Sequence, residues 1–254
     1  MLKVSPTCRF SSRVQNYARY RPSYPPEVLE VLGHECRLSR DSVIADIASG
    51  TGIFTRLLLE NGNRVFGVEP NADMRRAGEE YLAGYPKFVS VSGAAEATTL
   101  PDRSVTLITS AQAAHWFDRE KALHEFRRIL APEGYVALLW NERLVSASTF
   151  GTAYENLLVK YGIDYLELQN QNNGPNEFFP FKCHKRVLNN CQVLEYAALE
   201  GLLLSASYTP QPGEASYAPM LAGLRHIFEQ HQTGGFVRME YETRLYFGQL
   251  SQAD

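Results

Sequence analysis

The chain has 254 residues, a formal net charge of −3 and 44% hydrophobic side chains. This length suits one large α/β domain, and this composition excludes an intrinsically disordered chain. The slightly acidic balance gives no reason to expect a nucleic-acid partner or an acidic membrane surface. No stretch reaches the roughly 18 apolar residues of a membrane span, and the first ten residues lack the apolar core of a signal peptide. We therefore expect a cytoplasmic protein.

The cysteines and histidines do not form a recognised ligand pattern. Cys8, Cys36, Cys183 and Cys191 are not spaced as CxxC, which predicts four free thiols in a reducing compartment. The six histidines show no HExxH spacing. We expect no metal site.

Apolar runs and helical patterns alternate through the first 142 residues. Strands are predicted over 42–48, 64–70, 87–93, 104–112 and 134–141. Helices are predicted over 26–36, 52–62, 71–86 and 118–134, with Asn71 and Asp118 as N-caps. A short helix and a proline-rich turn precede them within 11–25. The alternation indicates a doubly wound parallel sheet over about residues 40–142.

The last third of the chain has a different pattern. It predicts helices over 151–162, 193–207 and 214–231, a polar loop over 169–180, a strand over 181–190 and a long final strand over 235–250. Helices added late to an α/β fold commonly cover the rim where ligands bind. We predict one domain over 1–254, with a cofactor-binding core at 12–142, additions at about 143–234 and the final strand at 235–250.

The stretch DIASGTG, from Asp46 to Gly52, follows the first predicted strand and precedes a helix. Gly50 and Gly52 allow the backbone to approach a ligand closely at the carboxyl end of the strand. A dinucleotide site needs GxGxxG, but its last glycine position is Thr55, and no GxxxxGK[ST] motif is present. The turn therefore disfavours a pyrophosphate or triphosphate ligand.

Glu69 ends the second predicted strand, 23 residues after Asp46. Ribose-binding acids follow such turns by about 20 residues. A carboxylate there can accept hydrogen bonds from both ribose hydroxyls. A ribose without a diphosphate indicates an adenosine-type cofactor.

Several motifs in order now resemble a known family. VIADIASGTGIFTRLL, VFGVEPNADM, SGAAEATTLPDRSVTLITSAQAAHWFD and FRRILAPEGYVALLW are similar to class I S-adenosylmethionine-dependent methyltransferases of the methyltransferase-11 type. The resemblance covers about residues 12–142. It implies S-adenosyl-L-methionine as cofactor and a Rossmann-like, mostly parallel sheet of seven strands with a final antiparallel strand. It also implies a small-molecule methyl acceptor.

The resemblance assigns roles to individual positions. It implies that Gly50 and Gly52 lie beneath the methionine part of the cofactor, that Asp46 orders this loop and the cofactor's amino group, and that Glu69 binds the ribose. Met74 would pack on the adenine, with helix core as the alternative. The family's adenine-binding Asp is Ala94 here, which leaves the backbone of Ala95 or the side chain of Glu96. The family's first glycine is Ala48.

The segment NYARYRP, residues 16–22, is similar to one that covers the cofactor in the family. The carboxylate of the methionine tail requires a cation, and Arg21 is a candidate, with Tyr17 and Tyr20 as walls. The alternative is a surface arginine with aromatic packing.

The acceptor residues are predicted at the ends of the fourth and fifth strands. His115 is the candidate base because its ordinary pKa lies near neutrality. Trp116 is a candidate wall or cation–π partner of the sulfonium, and Gln112 a candidate for orienting the acceptor. Trp140 and Asn141 close the fifth strand at the same rim. The alternatives are a structural hydrogen bond for His115 and core packing for Trp116.

Three other functions stay open from the sequence. A nicotinamide-dependent reductase is disfavoured by the missing glycine. A cofactor-binding protein without turnover is compatible with the same fold. Nucleic-acid methylation is weaker, because the chain is acidic and has no NPPY-type motif. For the methyltransferase we predict a monomer or homodimer.

Overall fold

A computed structural model describes residues 13–170, 178–179 and 183–250, with the side chains of 168–170 excepted. The predicted polar loop at 169–180 lies largely outside these residues, and so does Cys8.

The described residues form one seven-stranded sheet in the order β3-β2-β1-β4-β5-β7-β6. The strands are β1 Val43–Ile47, β2 Arg64–Val68, β3 Phe88–Val91, β4 Val105–Ala111, β5 Leu130–Arg143, β6 His184–Leu194 and β7 Val237–Gly248. Strands β1 to β5 pair in parallel, whereas β7 runs antiparallel to both β5 and β6. This confirms the predicted doubly wound, mostly parallel α/β fold with an antiparallel final strand.

Helices lie between the strands and in the C-terminal additions. They are α1 Val14–Tyr20, α2 Glu27–Cys36, α3 Ile53–Glu60, α4 Ala72–Tyr81, α5 Arg119–Ile129, α6 Thr149–Tyr161, α7 Tyr165–Asn170, α8 Tyr196–Leu204 and α9 Tyr217–His231. The Asn71 side chain accepts hydrogen bonds from the N–H groups of Asp73 and Met74, at 2.9 and 3.0 Å, and Asp118 accepts one from Lys121 at 3.3 Å. Both predicted N-caps are confirmed.

The central strands are apolar on both faces because helices cover each side of the sheet. Along β5, Val136 and Leu138 pack into the cluster that includes α5, whereas Ala137 and Leu139 pack into the cluster that includes α2 and α3. All four side chains are fully buried. A third cluster joins α6, α8 and α9 to the first half of β7. The C-terminal additions therefore pack onto the sheet with a core of their own.

Several predicted boundaries are wrong, and strand pairing explains those of β5, α5 and α8. Strand β5 begins at Leu130 rather than at Gly134, because Leu130 already pairs with Val105 across a shift in register. Helix α5 consequently ends at Ile129, whereas the sequence predicted that it would continue to residue 134. Likewise, the helix predicted from residue 193 begins at Tyr196, because β6 continues to Leu194 and pairs there with β7.

Helix α1 is fastened to the C-terminal additions, far away in sequence. The buried guanidinium of Arg13 donates hydrogen bonds to the carbonyl oxygens of Leu204, Ala206 and Thr209. The ring of Tyr20 fills the space beside Gly201, which has no side chain. The position of α1 over the sheet therefore depends on α8.

This contact predicts a loss of stability in Gly201→Ala. A Cβ at position 201 would lie 2.1 Å from Cδ2 of Tyr20, so the ring and α1 must shift. We expect the free energy of unfolding to fall by about 1–3 kcal/mol, as for other overpacked sites. Urea denaturation at constant temperature measures this change.

Two variants control for the effect of the methyl group itself. Gly84→Ala adds a Cβ with no heavy atom within 4 Å and should leave the stability nearly unchanged. Combining Gly201→Ala with Tyr20→Ala should cost less than the sum of the two single losses, since the clash is gone. A Gly201→Ala protein as stable as the parent would contradict the proposed packing.

Candidate active site

The glycine turn between β1 and α3 adopts an unusual backbone conformation. Ala48, Gly50 and Gly52 have positive φ values of 55°, 58° and 84°. A Cβ at Gly52 would also lie 2.7 Å from Cδ1 of Leu82, so both the conformation and the space require glycine there. Ala48, where the resembled family has glycine, adopts this conformation at a cost of roughly 1 kcal/mol. The turn exposes its backbone at the carboxyl edge of the sheet.

Glu69 holds this turn in place. Its Oε2 accepts a hydrogen bond from the N–H of Gly50 at 2.9 Å, and its Oε1 accepts one from the N–H of Asn71 at 2.8 Å. The residue is only 7% exposed, and this burial raises the pKa of its carboxyl group, although both N–H bonds oppose the rise. Each carboxylate oxygen has a further lone pair, so Glu69 can bind hydroxyl groups while it orders the loop.

Asp46 lies at the end of β1 beneath the turn and is almost completely buried. Its two oxygens accept hydrogen bonds from the hydroxyls of Thr55, at 2.6 Å, and Thr109, at 2.9 Å. Burial raises the pKa of Asp46 to about 6, and the two threonine bonds only partly offset this rise. No arginine or lysine of the described chain forms an ion pair with it.

A cavity of about 790 Å³ opens at this edge of the sheet. Its wall includes nine of the side chains and loop residues predicted from the sequence: Tyr17, Arg21, Asp46, Gly50, Gln112, His115, Trp116, Trp140 and Asn141. The ends of β1, β4 and β5 bring these residues together with α1, as the parallel order requires.

The other predicted residues are not among those that line the cavity. Met74 is buried, with its Cε 3.5 Å from where a Cβ of Gly50 would be. Ala95 belongs to the core cluster around α5, and Glu96 accepts a hydrogen bond from the N–H of Asp118 at 2.8 Å. Gly52 ends the turn at the start of α3, and Glu69 supports the turn through the N–H of Gly50. Tyr20, predicted as a lid wall, faces Gly201 instead.

Arg21 places a positive charge on the cavity wall. Its guanidinium lies 5.1 Å from the centre of the Tyr17 ring. Its Nε is fully enclosed and has no hydrogen-bond partner, and within the described ranges no carboxylate forms an ion pair with it. A guanidinium that lines the cavity without an ionic partner favours an anionic ligand at this position.

Gln112 and Asn141 are tied to the surrounding strands. Gln112 has a positive φ of 61° and donates from Nε2 to the carbonyl of Asn141 at 3.0 Å. The Asn141 amide donates to the carbonyl of Ser23 at 3.1 Å and accepts hydrogen bonds from Thr243 and Asn190. Asn141 thus joins β5, β6, β7 and the segment after α1 at the rim of the cavity.

His115 and Trp116 lie on a short 3₁₀ turn at Ala114–Trp116, after β4. Their ring centres are 4.7 Å apart. His115 has an exposed surface within the cavity mouth, but the surrounding protein withdraws its imidazole from bulk water and lowers its pKa to about 4. The imidazole is therefore neutral at physiological pH. Trp140 is buried and makes an edge contact with Tyr246 at 5.9 Å.

The sequence interpretation missed the inner end of the cavity. Six residues, which we call the inner chamber, form it: Arg143, Tyr154, Glu155, Tyr165, Tyr208 and Tyr241. Arg143 Nη2 donates to Glu155 at 3.1 Å and to the Tyr165 hydroxyl at 2.8 Å. The Tyr165 hydroxyl donates to the other Glu155 oxygen at 2.6 Å. These residues follow no local motif. The only signal in the sequence was the period-two pattern along β7, which includes Tyr241.

Other kinds of site find little support in the described chain. Cys36, Cys183 and Cys191 are free thiols. Among residues 13–170, 178–179 and 183–250, no group of three or more His, Cys, Asp or Glu is arranged to hold a metal ion. The helices within these ranges are too short or too polar to cross a membrane.

Comparisons with known proteins agree with this geometry. Residues 45–138 match the family model described as a methyltransferase domain, Methyltransf_11. An uncharacterized methyltransferase of Mycobacterium tuberculosis is 38% identical over 134 residues, which are 53% of this chain and 52% of that protein. The chain thus spans about half the length of the curated relatives it matches.

Solved structures share the fold over a longer range. A type II methyltransferase candidate from Anaeromyxobacter dehalogenans has a TM-score of 0.66 and 22% identity, over 91% of this chain and 98% of that one. Phosphoethanolamine N-methyltransferase 2 of Haemonchus contortus, in complex with phosphomonomethylethanolamine and S-adenosylhomocysteine, has a TM-score of 0.53 and 12% identity, over 97% of this chain and 60% of that one. Together with the sheet order, these comparisons show that the chain has the fold of these methyltransferases and that residues 45–138 are similar in sequence to a methyltransferase domain.

Proposed function

We propose that the protein transfers a methyl group from S-adenosyl-L-methionine to a small-molecule acceptor. One observation carries this proposal: the cavity wall holds one carboxylate and one guanidinium without ionic partners among the described residues, Asp46 and Arg21. The other charged wall residues pair off, as Arg143 with Glu155 and as Arg244 with Glu142. A free amino-acid group, with its ammonium and carboxylate, complements this pair of charges.

The residues of the chain fit the rest of this cofactor. Glu69 would bind the ribose hydroxyls with the lone pairs that its two N–H bonds leave free. Met74 and the segment at Ala95 and Glu96 would lie toward the adenine, as the family resemblance implies. The Haemonchus enzyme, which shares the fold, binds S-adenosylhomocysteine.

For methyl transfer the protein mainly has to position the acceptor in line with the methyl group and to exclude water. When bound, the cofactor supplies a methyl group already activated on a sulfonium. The aromatic walls at Trp116 and Trp140 would shield the site and favour a cation. His115 can accept a proton because its imidazole is neutral, but its lowered pKa makes it a weak base. Its role as the base stays a prediction.

A methyl-transfer assay tests the proposal. The purified protein is incubated with S-adenosylmethionine carrying a labelled methyl group and a fractionated small-molecule extract. We expect label in a low-molecular-weight product together with S-adenosylhomocysteine. Binding without transfer would support a regulatory cofactor-binding protein, and binding of reduced nicotinamide in its place would support a reductase. Cytoplasmic location and a monomeric or homodimeric state stay predictions.

Asp46 predicts how cofactor affinity depends on pH. The cofactor's ammonium favours the ionised carboxylate, so binding below the raised pKa of about 6 must release a proton. The affinity should therefore be constant above about pH 7 and fall by up to about tenfold per pH unit below 6. Calorimetric titration with S-adenosylhomocysteine between pH 5 and 8 measures this.

The matched variant is Asp46→Asn, which keeps a hydrogen-bonding oxygen but cannot ionise. It should bind more weakly at neutral pH and lose the dependence on pH. An affinity for the parent protein that does not change between pH 5 and 7 would contradict the assigned role of Asp46.

A further inference from the structure

We infer that the inner chamber is the acceptor subsite for a carboxylate, so that the methyl acceptor is an organic acid anchored through Arg143. This inference rests on the proposed function, since it names the acceptor class for the same cavity. It depends on three observations: unused donors at Arg143, free phenolic hydroxyls beside it, and the charge of the cavity.

Arg143 keeps donors that face the cavity. A guanidinium carries five N–H groups. Two on Nη2 are used by Glu155 and Tyr165, and one on Nη1 makes a long contact of 3.4 Å with the Tyr208 hydroxyl. Within the described chain this leaves two N–H groups on a residue that lines the cavity. These are Nε–H and one N–H of Nη1, which point in different directions, so each can donate one charge-assisted hydrogen bond to an anion.

The phenols around Arg143 add neutral donors. The Tyr154 ring lies under the guanidinium, 5.4 Å from its centre, and burial raises the pKa of Tyr154 far above its ordinary value. Its hydroxyl makes no hydrogen bond with any described residue and is not among the fully enclosed polar atoms, so it faces the cavity. The Tyr208 hydroxyl accepts from Arg143 and keeps its own hydrogen to donate.

Glu155 fixes the guanidinium. One of its oxygens accepts a hydrogen bond from Arg143 and the other accepts one from the Tyr165 hydroxyl. With Glu155 held on one edge of Arg143, the unused N–H groups lie on the remaining edges. The buried side chains of Tyr154 and Tyr165 contact the pair.

The charge of the loaded cavity selects among acceptors. Its wall carries three arginines (Arg21, Arg143, Arg244) and three carboxylates (Asp46, Glu142, Glu155), which cancel. The cofactor's carboxylate and ammonium also cancel, and its sulfonium adds one positive charge. The sulfonium lies next to the methyl group that is transferred, so it attracts an anionic acceptor and repels an amine cation at short range. Glu155 would repel a doubly charged phosphate ester more strongly than a singly charged carboxylate.

The inference is tested with paired probes on the whole protein, both free and loaded with S-adenosylhomocysteine. Phenylacetate, hexanoate and succinate are each compared with the corresponding carboxamide, and hexylamine and phenyl phosphate serve as the cationic and phosphate probes. We expect at least one acid to bind at millimolar concentration, about tenfold or more tightly than its amide, because a charge-assisted bond is replaced by a neutral one.

Variants assign the preference to Arg143. Arg143→Met should abolish the preference for acid over amide, and Arg143→Lys should retain part of it. Arg143→Met alone would leave Glu155 as a buried, unpaired carboxylate. Combining it with Glu155→Gln removes both charges of the ion pair, so the loss of acid binding is measured without that destabilising charge. Tyr154→Phe keeps the ring, deletes only the hydroxyl and should weaken acid binding about tenfold. The control is Arg225→Met, which removes an arginine stacked on Tyr196 outside the cavity.

The outcomes separate the inference from the function on which it rests. Equal affinity for acid and amide, a preference that survives in Arg143→Met, tighter binding of hexylamine or phenyl phosphate, or no binding of any acid at millimolar concentration would overturn the carboxylate subsite. Failure to bind S-adenosylhomocysteine, with an acid preference retained in the free protein, would overturn the proposed function alone.

Discussion

Glu69→Ala should lower the affinity for S-adenosylhomocysteine about 100-fold or more. The substitution removes a buried carboxylate that would bind the ribose, and bonds to charged partners contribute about 1.5–3 kcal/mol each. It also leaves the N–H groups of Gly50 and Asn71 without their acceptor, so the glycine turn loses its support. Calorimetric titration of the two proteins under identical conditions measures the change.

Two further variants separate charge from shape. Glu69→Gln offers one oxygen, whereas its amide nitrogen would face an N–H donor, so an intermediate affinity is expected. Glu79→Ala removes a half-exposed carboxylate of α4 that accepts a hydrogen bond from Ser90, and it should leave the affinity unchanged. A Glu69→Ala protein that binds within twofold of the parent would rule out the role given to Glu69.

Arg21→Met should lower the affinity for S-adenosylhomocysteine by about 30- to 100-fold, which is the loss typical of a charge-assisted contact in a water-poor site. The same variant should bind 5′-methylthioadenosine almost as well as the parent does, because this ligand has the ribose and adenine but no carboxylate. Titrating both ligands into both proteins gives a thermodynamic cycle for the contact.

Arg19→Met is the matched control for Arg21. Arg19 lies two residues before Arg21, in the last turn of α1, and its guanidinium lies over a tyrosine ring in the same way, 5.3 Å from the centre of Tyr20. It is exposed and outside the cavity wall. Its loss should not change either affinity. If Arg21→Met lowered the affinity for both ligands equally, the role of Arg21 would be to support α1 and not to bind the carboxylate.

The core of the fold could be predicted because its signals are local. Short apolar runs followed by helical patterns predict β1, β2 and β4 as strands of a sheet that helices cover on both faces. Capping residues such as Asn71 mark where the helices begin. The parallel arrangement then brings the ends of β1, β4 and β5 to one edge, which is why most of the predicted site residues line a single cavity.

The structure also explains details that spacing alone does not give. Glu69 was predicted as a ribose ligand from its distance to the glycine turn, but its hydrogen bonds to the N–H groups of Gly50 and Asn71 were not expected. Tyr20 was predicted as a lid wall, but its ring packs against Gly201 of α8, where the absence of a side chain leaves room for it.

The inner chamber could not be predicted because its residues meet only through long-range packing. Arg143 ends β5, Glu155 and Tyr154 lie on α6, and Tyr208 follows α8, so no sequence window contains the cluster. The strand boundaries failed for a related reason, since Leu130 and Leu194 become strand residues through pairing with distant partners. Local propensity predicts neither the cluster around Arg143 nor the strand pairing of Leu130 and Leu194.

We propose that the turn from Ala48 to Gly52, with Asp46, Glu69 and Arg21 around it, binds S-adenosylmethionine. Calorimetric titration of the purified full chain with S-adenosylhomocysteine at pH 7.5 measures this binding. We predict one site per chain with micromolar affinity, lost when Glu69→Ala and Arg21→Met are combined. No detectable binding at millimolar ligand, or binding that survives in the double variant, would contradict it.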